Sequence, residues 1–338
     1  MRIHLEFEYR RVFCRHCRMV KQETLAWLAE SGRFTKRFEK TVGRLCRLMT
    51  VKEVARLHHL SWDQVRRMDI AYMRELVAGH PPSIVLRAIG IDEVSIRKGH
   101  TYAIVVADLD QKRPIWMSKV PGRAKEDMDR FFLEMGPKRC SRIGLAAMDM
   151  WKPFRNSLAE HAPQAKITFD KFHVIGHLSD ALDQVRRREY ARVSEKDRRF
   201  IKGQRYTLLS HKANLDSNGK RSLKLLLKAN KRLNKAYLLK EMFGQLWNYN
   251  NPVWARKFFD NWKEQLRWSR LEPYRKFCGL IERHWEGIVS YCSPDHKVSL
   301  GFMEGLNNKI RLIQRRSYGI RDMEYLSLKV ITSFIEDP

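Results

Sequence analysis

The sequence predicts an α/β fold in which a mixed sheet begins as an antiparallel meander and is joined to a long all-helical stretch. Three β-rich runs follow one another with short polar turns between them, and a helix, an apolar strand, a second helix and a further strand come next. From residue 171 to about residue 298 the apolar positions recur at helical spacing instead. These two patterns predict a sheet domain interrupted by a large helical segment.

The elements of the predicted sheet domain follow in chain order. They are strands from Arg87 to Arg97, Thr101 to Asp110 and Pro114 to Val120, a helix from Lys125 to Met135, a strand from Ile143 to Asp149, a helix from Pro153 to His161 and a strand from Lys166 to Phe169. Lys98-Gly99-His100 and Gln111-Lys112-Arg113 are the predicted meander turns. The fourth strand is almost continuously apolar, as expected of a strand buried on both faces. This order is that of an RNase H-like core.

The charge of the chain predicts a polyanionic partner. Lys and Arg number 66 against 38 Asp and Glu, which gives a formal net charge of +28, and 43% hydrophobic residues suffice for a globular core. Nucleic acid is the leading partner and an anionic membrane surface the alternative. No apolar run is long enough to span a bilayer, and the N-terminus has no signal-peptide apolar core, so we expect a cytoplasmic protein without a membrane partner.

Residues 1–40 form a short basic segment that carries a cysteine pair. Cys14 and Cys17 enclose Arg15-His16, a spacing that supplies half the ligands of a tetrahedral Zn²⁺ site. A zinc ribbon needs a second such pair, which the sequence does not contain, so two ordinary thiols are the alternative interpretation. The six cysteines are scattered over the chain and predict no disulfide framework.

Residues 41–80 predict a helix-turn-helix module. The stretch from Thr50 to Met68 has the pattern of helix, tight turn and helix, with Ser61 as N-cap of the second helix. Four side chains of that helix are expected to face a DNA major groove: Trp62, Gln64, Arg66 and Arg67. A solvated basic helix pair produces the same pattern and is the alternative.

The remaining domain boundaries follow from breaks in periodicity. His80-Pro81-Pro82-Ser83 ends the helical module, and the first part of the RNase H-like core is expected at 84–170. An all-helical insertion is expected at 171–298, and a C-terminal core helix at 299–338. One apolar stripe of the insertion is predicted to be core packing: Trp254, Phe258, Trp262 and Leu266.

Three carboxylates are placed where such a core brings side chains to one metal site. Asp92 lies within the first predicted strand, Asp149 ends the apolar strand, and Glu304 lies in the C-terminal helix. A carboxylate buried in a sheet is costly without a cation, and carboxylate oxygens are preferred ligands of Mg²⁺. Two such ions roughly 4 Å apart can cleave a phosphodiester without a covalent enzyme intermediate. The sequence therefore predicts a catalytic triad that holds Mg²⁺ or Mn²⁺; three ordinary carboxylates are the alternative.

Polar side chains near this triad are candidate phosphate ligands. On the last helix, Phe302, Leu306, Ile310 and Ile313 form the predicted buried stripe and leave Glu304 on another face. The predicted DNA-binding residues of the core are Lys152, Arg155, Lys171, His173, Asn308, Arg311 and Arg315. For each residue between Lys152 and His173 in this set, a solvated surface position is the alternative. Asp170, after the fifth strand, is a candidate accessory ligand.

Four sequence blocks stand in one order along the chain. They are Gly90-Ile91-Asp92-Glu93, Met148-Asp149-Met150-Trp151-Lys152-Pro153-Phe154, Asp170-Lys171-Phe172-His173-Val174 and Glu304-Gly305-Leu306-Asn307-Asn308-Lys309-Ile310-Arg311. With these blocks the chain resembles bacterial insertion-sequence transposases of the ISL-three family. The resemblance implies that Asp92, Asp149 and Glu304 are the DDE carboxylates and that an all-helical insertion precedes the glutamate. It also implies Mg²⁺-dependent cleavage at element ends, strand transfer into double-stranded target DNA, and a homodimer or higher oligomer at the bacterial nucleoid.

One departure from the family pattern concerns the N-terminus. Family members typically begin with a zinc ribbon that has two cysteine pairs, whereas this chain has only one such pair, Cys14 and Cys17. From this we expect either a start codon assigned too far downstream or a truncated copy. The leading function is therefore a DNA transposase. The alternatives are a stand-alone RNase H-like nuclease and a catalytically silent or truncated DNA-binding protein derived from a transposase.

Overall fold

The computed structural model describes residues 5–83, 85–97, 99, 101–299 and 301–336. The chain divides into two compact units. Unit 1 comprises residues up to Pro81 together with Arg316–Gly319 and the chain end from Ile335, and unit 2 comprises Pro82–Arg315 and Ile320–Phe334. Of the predicted features, Lys98 and His100 of the first meander turn and residue 84 at the predicted start of the core lie outside the described residues.

Unit 1 contains a two-stranded hairpin and a helical bundle. Its elements are β1 (Arg11–Cys14), β2 (Met19–Gln22), α1 (Lys36–Leu48), α2 (Val51–His58) and α3 (Trp62–Gly79). Both α2 and α3 begin with a capping box, in which Thr50 pairs with Glu53 and Ser61 with Gln64. The predicted N-cap Ser61 is thus confirmed. Helix α1 begins at Lys36, so the predicted module start at residue 41 falls inside a helix.

The helices of unit 1 pack closely enough to require one glycine. A Cβ at Gly43 of α1 would lie 2.3 Å from Cγ of Tyr72 on α3, a distance that real Cβ atoms do not reach. Val42, Val54 and Val65 are fully buried and contribute one side chain from each helix to a small shared core. Small apolar residues at helical spacing therefore fix the three-helix arrangement.

The sheet of unit 2 has five strands in the order β5-β4-β3-β6-β7. The strands are β3 (Ala88–Arg97), β4 (Thr101–Asp108), β5 (Arg113–Met117), β6 (Leu145–Met148) and β7 (Lys166–Phe169). The first three pair antiparallel, whereas β6 pairs parallel with both β3 and β7. The predicted meander followed by two further strands is present, with strand ends that differ by one to three residues.

Alternation along the strands gives the sheet two apolar faces. Ile89 and Ile91 of β3 join the larger core, which includes α4 (Lys125–Met135) and α6 (Lys152–His161). Ala88 and Val94 point to the opposite face, which is covered by α15 (Gly301–Arg316) and α16 (Met323–Thr332). A four-residue helix, α5 (Pro137–Cys140), leads into β6. Gly90 and Asp92 lie an even number of positions from Ala88 and Val94, so their side-chain positions are on the same face of the sheet and face α15.

An all-helical segment separates β7 from α15. Its helices are α7 (Lys171–Arg192), α8 (Glu195–Gly203), α9 (Arg205–Leu209), α10 (Ser217–Ala229), α11 (Lys231–Phe243), α12 (Pro252–Glu264), α13 (Glu272–Arg283) and α14 (Trp285–Ser290). Trp262 and Leu266 are buried as predicted, and Phe258 packs against the same core. The prediction for Trp254 was wrong, because 58% of this residue is exposed. Within the described residues, none of the helices is both long and apolar enough to cross a membrane.

Candidate functional site

Asp92 and Asp149 come from adjacent parallel strands and open onto one small cavity. Asp92 lies in the middle of β3 and is 9% exposed, and Asp149 directly follows β6. Each carboxylate accepts a hydrogen bond from the next backbone N–H, that of Glu93 at 2.8 Å and that of Met150 at 2.5 Å. The cavity between them has a volume of about 10 Å³ and is also lined by Asp170. That volume suits a single water molecule or ion.

A side-chain contact from α15 holds Asp92 in place. Nδ2 of Asn307 donates a hydrogen bond of 2.7 Å to Oδ2 of Asp92. Asn307 is 7% exposed, and its Oδ1 is buried with no hydrogen-bond partner among the described residues. The amide therefore presents an unused oxygen beside the carboxylate, in a place where an unsatisfied acceptor is costly.

Burial governs the charge of Asp92. Burial raises the pKa of this carboxyl to about 6. The hydrogen bonds from Glu93 and Asn307 and the attraction of His173 lower the pKa, but their effect is smaller than that of burial. At neutral pH the group is mostly ionised, but its negative charge is poorly compensated within the protein. A nearby cation would relieve that cost.

Asp170 and His173 form an ion pair at the mouth of the same cavity. Asp170 caps α7 through the N–H of Phe172, and its Oδ2 lies 3.2 Å from Nδ1 of His173. This contact raises the pKa of His173 to about 9, and the negative charges of Asp149 and Asp92 add to the effect. The protonated imidazole thus places one positive charge among three carboxylates, and the predicted accessory position of Asp170 is beside the other two acids.

Glu304 lies on α15 one helical turn before Asn307 and next to Met303. Met303 lines the cavity, whereas Glu304 is exposed and does not line it. Asn308, Arg311 and Arg315 are exposed as the predicted outer face requires. The predicted buried stripe was only partly right, because Met303 and Asn307 are also buried whereas Phe302 and Ile313 are only partly so.

A glycine on β3 lets α15 approach the sheet. A Cβ at Gly90 would lie 2.6 Å from Sδ of Met303 and 2.8 Å from Cδ2 of Leu109. We expect Gly90→Ala to lower the free energy of unfolding by about 1–3 kcal/mol, since overpacking displaces both side chains. In urea unfolding, Gly144→Ala is the matched control, because its Cβ would meet only Arg87 O at 3.7 Å. Equal stability of the two variants would contradict close packing at Gly90.

The predicted phosphate ligands of the core occupy different surroundings. Lys152 and Asn308 are exposed, and Lys171 lies 5.5 Å from the ring of Tyr291. Arg155 is half-buried and donates from Nη1 to Nδ1 of His284 at 3.1 Å. Lys152 and Asn308 are therefore solvent-facing, while Arg155 is held by His284, a partner that no sequence pattern predicts.

Trp151 contacts an arginine that also pairs with Glu93. Its Nε1 donates to Arg123 O at 3.1 Å, and the guanidinium of Arg123 lies 4.7 Å from the indole and 4.6 Å from the ring of Tyr102. The same guanidinium pairs with Glu93 at 2.8 Å. Glu93 thus points away from the acid cavity, as alternation along a strand requires.

The predicted DNA-facing helix of unit 1 is α3. Trp62 is 50% exposed, and Arg66 lies 5.7 Å from its ring. Arg67 is exposed, and its Nε donates to Asp63 O at 3.3 Å. Gln64 is partly buried, and its side chain accepts from the N–H of Ser61 at 2.9 Å. Gln64 therefore contributes to the helix cap, Trp62 and Arg67 are exposed, and Arg66 is partly buried beside the indole.

The cysteine pair of unit 1 lies at the turn of the β1–β2 hairpin. Hydrogen bonds from Cys17 and from the backbone of His16 lower the pKa of the Cys14 thiol. All six cysteines are free thiols in the structure. Among the residues that the structure describes, no three His, Cys, Asp or Glu side chains are gathered closely enough to hold a metal ion.

Two contacts were missed by sequence reasoning, that of Asn307 with Asp92 and that of His284 with Arg155. Asn307 and His284 are both polar and both lie within helical stretches where apolar spacing dominates. For Asn307 a signal existed, because it stands one turn after Glu304 and next to Asn308. For His284, which lies far along the chain from its partner Arg155, no local pattern could reveal the contact.

Comparison with known proteins gives a consistent result over almost the whole chain. The sequence model of a family described as "Transposase" matches residues 89–330, and that of the "Helix-turn-helix domain of transposase family ISL3" matches residues 23–73. The chain is 34% identical over 336 residues to the transposase for insertion sequence element IS1001 of Bordetella parapertussis, an alignment that covers 98% of this chain and 82% of that protein. It is 27% identical to the transposase for insertion sequence element IS1557 of Mycobacterium tuberculosis, over 89% of this chain and 72% of that protein. The chain belongs to the ISL3 family of insertion-sequence transposases, the ISL-three family whose sequence blocks it carries.

Proposed function

We propose that this protein binds double-stranded DNA at the ends of its insertion sequence and performs Mg²⁺-dependent phosphodiester cleavage and strand transfer with Asp92, Asp149 and Glu304. The observation that carries the proposal is the convergence of Asp92 and Asp149 on one cavity, with α15 joined to Asp92 through Asn307. This contact brings the helix that bears Glu304 to the same end of the sheet. The strand order and the interrupting helical segment support an RNase H-like core.

The chemistry of the donors at the cavity fits a hard divalent cation, although the described carboxylates are not gathered at coordination distance. The donors available are the carboxylates of Asp92, Asp149 and Asp170 and the unpartnered Oδ1 of Asn307, all oxygen ligands of the kind that Mg²⁺ prefers. Mn²⁺ accepts the same donors. A bound divalent cation supplies a Lewis acid that activates the attacking hydroxyl and stabilises the leaving oxygen. In this proposal the exposed carboxylate of Glu304, which does not line the cavity here, joins the donor set when metal and DNA bind.

Several side chains of this chain orient the site and the substrate. Asn307 and the N–H of Glu93 fix the Asp92 carboxylate, and Asp170 fixes the imidazole of His173. Protonated His173 balances part of the negative charge, so a DNA phosphate can approach. We infer that Lys152, Lys171, Asn308, Arg311 and Arg315 hold the phosphates beside the scissile bond.

We infer that unit 1 supplies duplex recognition. The exposed Trp62 and Arg67 and the partly buried Arg66 of α3 are the side chains expected to enter a major groove. Gln64 is assigned to the helix cap in this proposal, because its side chain is bonded to Ser61. A homodimer or higher oligomer that holds two DNA ends is part of the same proposal. Zn²⁺ at Cys14 and Cys17 is not needed for it, since one pair supplies only half of a tetrahedral site.

The proposal is tested by cleavage of DNA that carries the gene's own flanks. We expect purified protein to nick at defined ends in Mg²⁺ but not in Ca²⁺, and Asp149→Asn to abolish nicking while duplex binding in a gel-shift assay is retained. Asp110→Asn is the matched control, because this carboxylate is paired with Arg87 at 2.6 Å in a turn and does not line the cavity. Binding without cleavage by the unchanged protein would favour a silent DNA-binding protein. Equal cleavage by wild type and Asp149→Asn would refute the assigned triad.

A further inference from the structure

A second and much larger cavity lies at the free edge of the sheet. It has a volume of about 710 Å³ and is lined by Lys166, Ile167 and Phe169 of the edge strand β7 and by residues of α6, α13 and α14. Helix α14 packs on β7 closely enough that a Cβ at Gly287 would lie 2.5 Å from Cε2 of Phe169. The cavity is therefore built by the helical segment against the sheet.

Guanidinium groups give this cavity its chemistry. Arg155 contributes an Nε that is buried and has no hydrogen-bond partner among the described residues, while its Nη1 is engaged with His284. Arg283 is exposed and lines the same space, as does Lys166. Guanidinium groups match the geometry of phosphate oxygens, and a buried donor without an acceptor is the feature that a phosphate would satisfy.

The acidic residues of the cavity reduce this positive charge only in part. Glu282 is bonded to Lys263, outside the lining, whereas Glu286 is exposed and faces the cavity. His284 accepts from Arg155 through Nδ1, so its proton resides on Nε2, which is a further donor. His296 lies at the rim, where its Nδ1 is 2.9 Å from Oγ of Ser290.

The cavity lies close to the acid site. Phe169, which lines this cavity, directly precedes Asp170, which lines the acid cavity. Burial, Arg155 and Arg283 lower the pKa of His284, and the negative charge of Asp149 opposes that shift. A volume of this size is that of a small-molecule pocket and admits about one or two nucleotides but not a duplex. An unpaired DNA strand suits the positive lining, because it carries one negative charge per nucleotide. It also suits the volume, because it enters without its complementary strand.

We propose that this cavity binds a short unpaired stretch of the DNA strand next to the scissile phosphate, with its phosphates held by Arg155 and Arg283. The inference rests on the proposed function, because it takes the substrate to be DNA cut at the acid site. Recognition is through phosphates, so binding tolerates any base sequence. The helical segment thereby acts as a receptor for single-stranded DNA at the edge of the sheet.

The test is the binding of a fluorescently labelled short oligothymidylate to the full chain in EDTA, followed by anisotropy over a range of salt concentrations. We expect Arg283→Gln and Arg155→Gln each to weaken binding by about tenfold and to reduce the slope of log K against log salt by about 0.7. Glu286→Gln removes a repulsive carboxylate and is expected to tighten binding about two- to threefold. A folding defect would weaken binding in every variant, so it would not produce weaker binding in Arg283→Gln and tighter binding in Glu286→Gln.

Arg188→Gln is the matched control, because it removes the same charge from an exposed position on α7 outside the cavity. A loss at Arg188 equal to the loss at Arg283, or unchanged binding in both cavity variants, would overturn the inference. Arg283→Lys keeps the positive charge but removes the guanidinium. Unchanged binding by this variant would overturn the assignment of Arg283 as a guanidinium ligand of phosphate. Oligonucleotide binding is measured in EDTA, where no cleavage occurs, so it is independent of the cleavage test. The proposed function fails if, in Mg²⁺, the unchanged protein does not cut or Asp149→Asn cuts equally well, whatever the oligonucleotide result.

Discussion

Asp92→Asn is expected to reduce DNA cleavage by about a thousandfold or more and to stabilise the folded protein at the same time. The loss follows from removing a carboxylate proposed to hold the cation, which contributes several kcal/mol to the transition state. The gain follows from burial, because Asp92 is 9% exposed and its pKa is raised to about 6. An amide can also donate to the unpartnered Oδ1 of Asn307, which the carboxylate cannot.

The stabilisation should depend on pH in a defined direction. A carboxyl whose pKa is higher in the folded state than in the unfolded state binds more protons when folded. Between the unfolded value of about 3.9 and the folded value of about 6, stability therefore falls as the pH rises, and above that window the full penalty of about 3 kcal/mol remains. The benefit of Asp92→Asn should thus be greatest above pH 6 and vanish near pH 4.

Urea unfolding of the metal-free protein at pH 4 and pH 7.5 (roughly the two sides of the window) measures this effect. We expect a gain of about 1–3 kcal/mol at the higher pH, less than the full penalty because the carboxylate's own hydrogen bonds are changed. Asp108→Asn is the control, since Asp108 is 2% exposed but accepts from the N–H groups of Asp110 and Gln111 in a turn. A loss of stability in Asp92→Asn at pH 7.5, or a gain of the same size in Asp108→Asn, would contradict the argument.

Trp262→Ala is expected to destabilise the helical segment by about 3–5 kcal/mol. Trp262 is fully buried, and its Nε1 donates to Leu239 O at 2.9 Å. Its ring lies 5.1 Å from that of Phe243 and 6.0 Å from that of Phe259, at the centre of an aromatic cluster. Truncation leaves a large cavity and removes both the ring contacts and the hydrogen bond.

Two variants on the same helix separate these contributions. Trp262→Phe keeps most of the apolar volume and is expected to cost about 1–2 kcal/mol. Trp254→Ala removes an indole that is 58% exposed, so a change within about 0.5 kcal/mol is expected. The measurement is chemical unfolding followed by circular dichroism, which reports the helices. Similar losses in Trp254→Ala and Trp262→Ala would show that the buried cluster is not the main source of stability.

The strands and the faces of the sheet were predictable because they follow from local periodicity. Ile89 and Ile91 alternate with Gly90 and Asp92, so a period of two residues already places Asp92 opposite the larger core. The carboxylate at the end of β6 was equally readable, since an apolar run stops at Asp149. The proposed triad came from this logic together with the family resemblance, and it stays a prediction.

Features that depend on long-range packing were not predictable from the sequence. The stripe from Phe302 to Ile313 identified the buried side of α15 but missed Asn307. A polar residue at the border of an apolar stripe is buried only where it has a hydrogen-bond partner, and the partner of Asn307 is Asp92, far away in the sequence. Trp254 was assigned to the core because it shares a spacing with Trp262, yet it lies at the border of the apolar face and is exposed. The edge cavity required Arg155 and His284 to meet across 129 positions, for which no local pattern exists.

The bond between Asn307 and Asp92 also sets an order of events during synthesis. The two residues are 215 positions apart, and every helix from α4 to α14 is made between them. Contacts that are distant along the chain form late, whereas helices fold locally and early. A chain still on the ribosome can therefore fold α1 to α3 before α15 has emerged. The proposed capacity to cut DNA should arise last, and only in molecules whose synthesis has passed the end of the helical segment.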